Sequence, residues 1–311
     1  MTCEAAPPDR EPPPPGPRPI PMSPSYRPSR RRPAAVVVGV ALVLATAGAC
    51  GDRVATDAAP GSASATATEG TGPGIQHPSG ADDVVVSIRT AGGFGPWQGA
   101  IGTQPTVLVT GDGRVLTPGA TTMEYPGPLV APVVVADGGE ELVQDLLAEA
   151  DEAGLLAPPP AYDDPDPLAT DLPTTTVLVQ ASGEAREHRA YALGEPGTEQ
   201  GARRSLATFV ERATAAAADV DGAQLLEPQA LVVRAMPLAG RRVPRDDAPD
   251  AVAWPETAGT PLEALAESCG IVDDPATVAL LARERQDVPF QDGGRTWELG
   301  ARAALPGDPG C

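Results

Sequence analysis

Apolar and polar residues begin to alternate at Asp83. Val84, Val86 and Ile88 take one side, Val85, Ser87 and Arg89 the other, which is the period of a half-buried strand. Apolar runs at 105–110 and 114–117 flank Asp112 and Gly113, a hairpin signal in which both residues tolerate the positive φ of a type I′ turn. Another strand is predicted at 129–135. The period then lengthens: Leu142, Val143, Leu146, Leu147, Ala150 and Ala153 share one helical face. Asp137 is placed to cap that helix, Glu140 to complete a capping box and Gly154 to end it. After a Pro- and Asp-rich loop at 157–173, segments 174–181 and 184–193 predict a second hairpin around Ser182 and Gly183. The quartet Thr-Val-Leu-Val occurs at 106–109 and again at 176–179, which suggests a repeated hairpin. A helix at about 198–218 turns Ala202, Leu206, Phe209, Val210 and Ala213 to one side, and a strand follows at 230–235.

Beyond Met236 a connection at 237–258 carries Asp246, Asp247 and Asp250. Thr260, Pro261 and Glu263 mark a helix start, with Thr as cap and Pro at the first helical position. That helix ends at Cys269 and Gly270. Asp274 and Pro275 open another that carries Val278, Leu280 and Leu281, and a last hairpin at 288–291 and 295–301 surrounds Asp292, Gly293 and Gly294. Trp254 and Trp297 are expected to pack a smaller core. These elements predict an α+β fold, an antiparallel sheet built from β-hairpins with a few packed helices. It divides into an α+β body at 83–235 and a small disulfide-pinned C-terminal α+β subdomain at 236–311.

The N-terminal region reads as an address. Residues 1–33 hold 12 of the 38 prolines, mixed with Arg and Ser, a composition that stays disordered. Met22 is an alternative start, which makes 1–21 a candidate gene-model artefact. Arg30, Arg31 and Arg32 precede an apolar run at 34–49, whose 16 residues span about 24 Å as a helix, short of the ~30 Å hydrocarbon core. A basic stretch, a short apolar run and small residues describe an export signal. Its end, Ala47, Gly48, Ala49, Cys50 and Gly51, resembles the lipobox of bacterial lipoproteins, in which the Cys receives a diacylglycerol thioether and becomes the mature N-terminus. Ala47 stands where Leu is usual. The same residues fit A-x-A cleavage and release of a secreted protein, and an uncleaved anchor is a third reading. With the lipidated Cys50, residues 50–82 then form a flexible linker of small polar residues reaching about 30 Å, with His77 as a solvated linker residue.

Charge narrows the function. The 311 residues carry 22 basic and 42 acidic side chains, net −20, and every basic one is Arg. Without Lys there is no Schiff-base lysine, P-loop lysine or kinase lysine. Loss of residues 1–49 leaves 16 Arg against 39 acids, net −23. Such a surface excludes nucleic acid as a partner and is repelled by anionic lipid, so membrane attachment falls to the anchor.

Four cysteines remain to be placed. Cys3 lies in the discarded segment and Cys50 is the acyl acceptor, which leaves Cys269 and Cys311 as a disulfide pair in an oxidising compartment. Closing that loop is worth about 4 kcal/mol in the chain-entropy account. A zinc or redox site is disfavoured, since neither Cys has a C-x-x-C partner or a nearby His. The loop acids Asp163, Asp164, Asp166 and Asp171 are a weak Ca²⁺ candidate, set against a solvated acidic loop, because Pro165 and Pro167 interrupt EF-hand spacing. No hydrolase motif occurs. His188 reads as structural, on a strand whose neighbours Arg186, Glu187 and Arg189 look like an exposed face. Phe94 and Trp97, in a Gly-rich loop, are a candidate binding patch, set against aromatics tucked over the core. No cofactor is called for.

The chain also resembles a family of uncharacterised exported actinobacterial lipoproteins. The matching residues are Asp112 and Gly113; Tyr125, Pro126, Gly127 and Pro128; Pro173, Thr174 and Thr175; Tyr191, Ala192, Leu193 and Gly194; Cys269 and Gly270; Gly310 and Cys311. The resemblance spans nearly all the mature chain and implies location and fold, with no catalytic residues. The expectation is a lipid-anchored protein on the extracytoplasmic face of the cell membrane. It would act there as a non-enzymatic binding or envelope-associated module with a protein or glycan partner. The alternatives are a secreted acidic inhibitor or partner protein and a carboxylate-dependent hydrolase.

Overall fold

A computed structural model describes residues 74–93, 103–162, 170–195, 199–238, 249–308 and 310. The alternation that starts at Asp83 becomes an interior strand of a seven-stranded antiparallel sheet. Its strands are β1 (Val84–Gly92), β2 (Val107–Thr110), β3 (Arg114–Pro118), β4 (Val133–Asp137), β5 (Pro173–Ala181), β6 (Glu184–Tyr191) and β7 (Gln224–Leu225). Their order is β6-β5-β1-β2-β3-β4-β7. The repeated quartet has a structural counterpart here. Val86, Ser87 and Ile88 pair with Val109, Leu108 and Val107 on one side and with Val179, Leu178 and Val177 on the other. Both Val-Leu-Val segments thus flank β1 in equivalent positions, valines toward one core and leucines toward the opposite face.

The hairpin turns differ from one another. Gly111, Asp112 and Gly113 form a three-residue connection in which Gly113 N donates to Thr110 O at 2.9 Å. Gly113 alone of the three has positive φ, so the type I′ turn expected at Asp112 and Gly113 is not formed there. The Asp112 carboxylate instead accepts from Thr110 Oγ1 and from Arg114 Nε at 3.0 Å, which holds the longer turn. Ser182 and Gly183, with φ of 51° and 77°, do make a two-residue turn of that kind.

Helices α1 (Gly139–Glu152) and α2 (Gly201–Ala218) cover one face of this sheet. Val143, Leu146, Leu147, Leu206, Phe209 and Ala213 enter the core with β-strand valines, each large side chain worth about 1.5–3 kcal/mol on full burial. Both helix starts depart from expectation. Gly138 is the N-cap of α1; Asp137 lies one residue earlier and accepts from Gly139 N, while Glu140 turns away to His77 and Gln144. In α2 the inward residue of the first turn is Arg203, not Ala202. Its guanidinium caps the chain leaving β6 through Tyr191 O and Ala192 O, both at 3.1 Å.

A second, mixed sheet contains β8 (Leu231–Pro237), β9 (Val252–Ala253), β10 (Gly270–Val272), β11 (Phe290–Asp292) and β12 (Arg295–Ala303), in the order β10-β8-β12-β11-β9. The boundary drawn at 235 falls inside β8, which belongs wholly to this sheet. Helices α3 (Leu262–Glu267) and α4 (Pro275–Arg283) pack on it around Trp254, Phe290 and Trp297. The predicted Thr260 cap is replaced: α3 begins at Leu262, whose N–H is taken by Asp292 Oδ2 from the last hairpin at 2.7 Å. Asp274 caps α4 as expected, accepting from Thr277 N at 2.9 Å. The first sheet's other face meets the end of β12 in a third cluster of Val84, Leu108, Leu116, Val133, Ala303 and Leu305. The architecture is α+β. Among the described residues no helix is long and apolar enough to cross a membrane.

Candidate apolar cleft at one end of the first sheet

The strand directions give the first sheet two ends. The starts of β1 and β3 and the finishes of β2, β4 and β5 lie at one end; the opposite termini lie at the other. The first end is closed by residues 74–82, part of the stretch expected to be linker. Ile75 N and O bond Gln144 Oε1 and Nε2 at 2.9 and 3.0 Å, and Gln76 O accepts from Ser182 N at 2.7 Å. Ala81 O accepts from Arg114. His77 is not solvated: its side chain is 6% exposed, and its ring nitrogens face Pro78 O and the Glu140 carboxylate. The hydrogen bond from His77, helped by Gln144, holds the Glu140 carboxyl below its usual value. A Cβ at Gly111 would collide with Pro78 O, so glycine is required for the strap to lie this close.

At the other end the described residues leave a cleft. The approach to β4 runs through Val130, Ala131 and Pro132; the predicted strand at 129–135 is broken there because Pro132 cannot donate to a ladder. Leu129 N instead donates to Glu284 O at 2.8 Å, and Val130 bridges Ala301, which draws this segment toward the second sheet. Leu226 N donates to Val133 O at 2.8 Å, steering the chain after β7 alongside. Helix α4, started by Asp274 and Pro275, commits Val278 and Leu281 to the second core and sets Ala279 and Ala282 at the surface. Methyl groups at those two positions leave a cleft of about 430 Å³. Its buried floor is Val130, Val133, Val278 and Ala303; Leu225, Glu227 and Gln229 are exposed at its mouth. This volume lies within the 300–1,000 Å³ of small-molecule sites, and the lining is mostly apolar. Pro132, Pro228 and Pro275 stiffen it.

The residues singled out from sequence lie elsewhere. Cys50, Phe94, Trp97, Asp163, Asp164, Asp166 and Cys311 fall outside the described residues. Asp171 is exposed at the edge of the acidic loop with φ 60°. Among the described residues no group of three His, Cys, Asp or Glu side chains is placed to hold a metal. Cys269 is disulfide-bonded. His188, expected on an exposed face, is fully buried. Alternation sends Glu187 and Arg189 outward and His188 inward, where its Nε2 donates to Leu155 O at 2.9 Å. Nδ1 is then left to accept from Tyr162 OH at 2.6 Å. Burial lowers the imidazole pKa and raises that of Tyr162 to about 12. Both groups are satisfied by each other and by backbone, which is a structural role.

The sequence reading missed the cleft. Its residues come from four separate segments and include no motif; the available signal was a pair of alanines three apart on an otherwise apolar helix. Comparison with known proteins gives no match, whether to family models, to curated proteins or to solved structures.

Proposed function

We propose that the protein is an extracytoplasmic binding module, tethered to the membrane through Cys50, that takes a small apolar ligand in the cleft between β4, β7 and α4. The observation that carries this reading is the cleft itself: apolar, stiffened by proline and left unfilled by Ala279 and Ala282. Its lining supplies one carboxylate, Glu227, whereas carboxylate hydrolysis works with a pair. The strap supports a direction for the tether. A segment of linker composition running from Cys50 to Gly74 reaches about 27 Å, and it joins the body on the α1 side, toward the sealed end of the sheet. The cleft then opens at the end away from the attachment. The disulfide at Cys269 supports an oxidising compartment, with Cys311 as the proposed partner.

An apolar fluorescent dye titrated into the full-length protein tests the site. Saturable binding that is lost in Ala282→Trp is expected; equal dye uptake by both proteins would remove the cleft from consideration. Intact mass with and without reductant tests the tether. A chain beginning at Cys50 with a diacylglycerol adduct is expected, and an unmodified chain in the medium would replace attachment with secretion.

A further inference from the structure

The cleft has polarity as well as shape. Glu227 is the one ionisable side chain in its lining, and it stands exposed at the mouth. Among the described residues nothing pairs with its carboxylate. Several acidic side chains elsewhere are matched, Glu140 with His77, Glu152 with Arg212, Glu199 with Arg203 and Glu263 with Arg295, but what sets Glu227 apart is its place at the mouth of an apolar cleft. Gln229 Nε2 donates to Glu227 O at 3.3 Å, which stiffens the backbone that carries the acid. The four buried floor residues are aliphatic throughout. A ligand that fills the floor and reaches the mouth therefore meets hydrocarbon first and an unpaired negative charge last.

We propose that the cleft selects small amphiphilic cations, alkylammonium-like molecules whose apolar body lies against Val130, Val133 and Val278 and whose positive head faces Glu227. This rests on the binding reading above. Charge complementarity argues for it at two ranges. Locally, an aliphatic carboxylate placed in the cleft would bring its head beside Glu227 with no basic lining residue to meet it. Globally, a chain of net −20 concentrates cations and repels anions. The local attraction is that of a partly exposed ion pair, and apolar contact supplies most of the affinity. Three prolines in the lining limit the ordering needed on binding, so the selectivity is a property of a preformed site.

The experiment uses the full-length protein in nanodiscs of zwitterionic lipid. It compares octyltrimethylammonium, octanol and octanoate by ligand-observed NMR, with Ala282→Trp as the blank for partition into lipid. The cation should bind about fivefold more tightly than the alcohol and more tightly still than the carboxylate at low salt. The preference should collapse in Glu227→Gln and at high ionic strength, while affinity for octanol stays unchanged. Equal binding of all three probes, unaltered in Glu227→Gln, would overturn the charge selectivity and leave the apolar site standing. Preference for octanoate would overturn it as well. No difference between the wild type and Ala282→Trp with any probe would remove the site and this inference together.

Discussion

The two ends of the first sheet are built from the same strands and finished in opposite ways. At one end, residues 74–82 are laid across the turns, and Gly111 has no Cβ to hold them off. Behind them the C-terminal segment returns to β1, where Gly307 lies against Val84. Buried charge there is held, as at Arg302, whose guanidinium holds Asp308 and Gly310 O. At the other end the chain passes through prolines and stops short of filling the space beside α4. The difference separates two uses of sequence. Side chains at the sealed end have partners that make them costly to change; those at the open end have room, and changes there should be felt by a ligand before they are felt by the fold.

The largest effect should come from Arg302→Ala, which strands Asp308 in the interior. Breaking such a buried pair costs about 3–5 kcal/mol, measurable as a lowered urea midpoint, and Arg302→Met with Asp308→Leu should recover much of it. Burial alone would raise the Asp308 carboxyl, but hydrogen bonds and charge from Arg302 outweigh it and hold it low. Its contribution is therefore present above the unfolded value near 3.9 and is lost as pH falls through the lower folded value. His188→Ala should come next, at about 2–3 kcal/mol, because it leaves Leu155 O and the Tyr162 hydroxyl unpartnered. Since burial lowers the His188 pKa, the wild type should also lose stability as pH drops below about 6.5, and His188→Gln should lose less over that window.

Gln144→Ala tests the strap. Losing both bonds to Ile75 should cost about 1–2 kcal/mol and speed amide exchange at 75–82 while leaving β5 and β6 protected. Unchanged exchange there would mean the strap is held by other contacts, and the sealed end would lose its distinction. The smallest effect on stability belongs to Ala282→Trp at the open end, within about 0.5 kcal/mol by thermal melt, alongside lost dye binding. A destabilisation as large as that of Gln144→Ala would show that the cleft is packing space and would erase the contrast.

The elements that were legible in the sequence are those with local causes. Alternation placed β1, and the paired glycines placed the last turn. A helical apolar stripe placed α1 and most of α2. Asp274 before Pro275 placed the start of α4. The turn at Asp112 was misjudged because its two residues were read without Thr110 and Arg114, whose side chains favour the longer connection. Strands β7, β9 and β10, of two or three residues each, carry no period to detect. The inward turn of Arg203 and the burial of His188 beside strand neighbours that look exposed were not legible, because burial of a polar side chain depends on carbonyls supplied from distant positions.

Fold class, acidic character and the candidate export signal are decided by composition and short-range pattern, because backbone preference and hydrophobic period act over a few residues. The membership of β8, the burial of His188, the docking of residues 74–82 and the cleft are decided only when distant segments meet. A cleft is volume that no side chain occupies, and that volume is set by how four segments pack rather than by any residue within one of them.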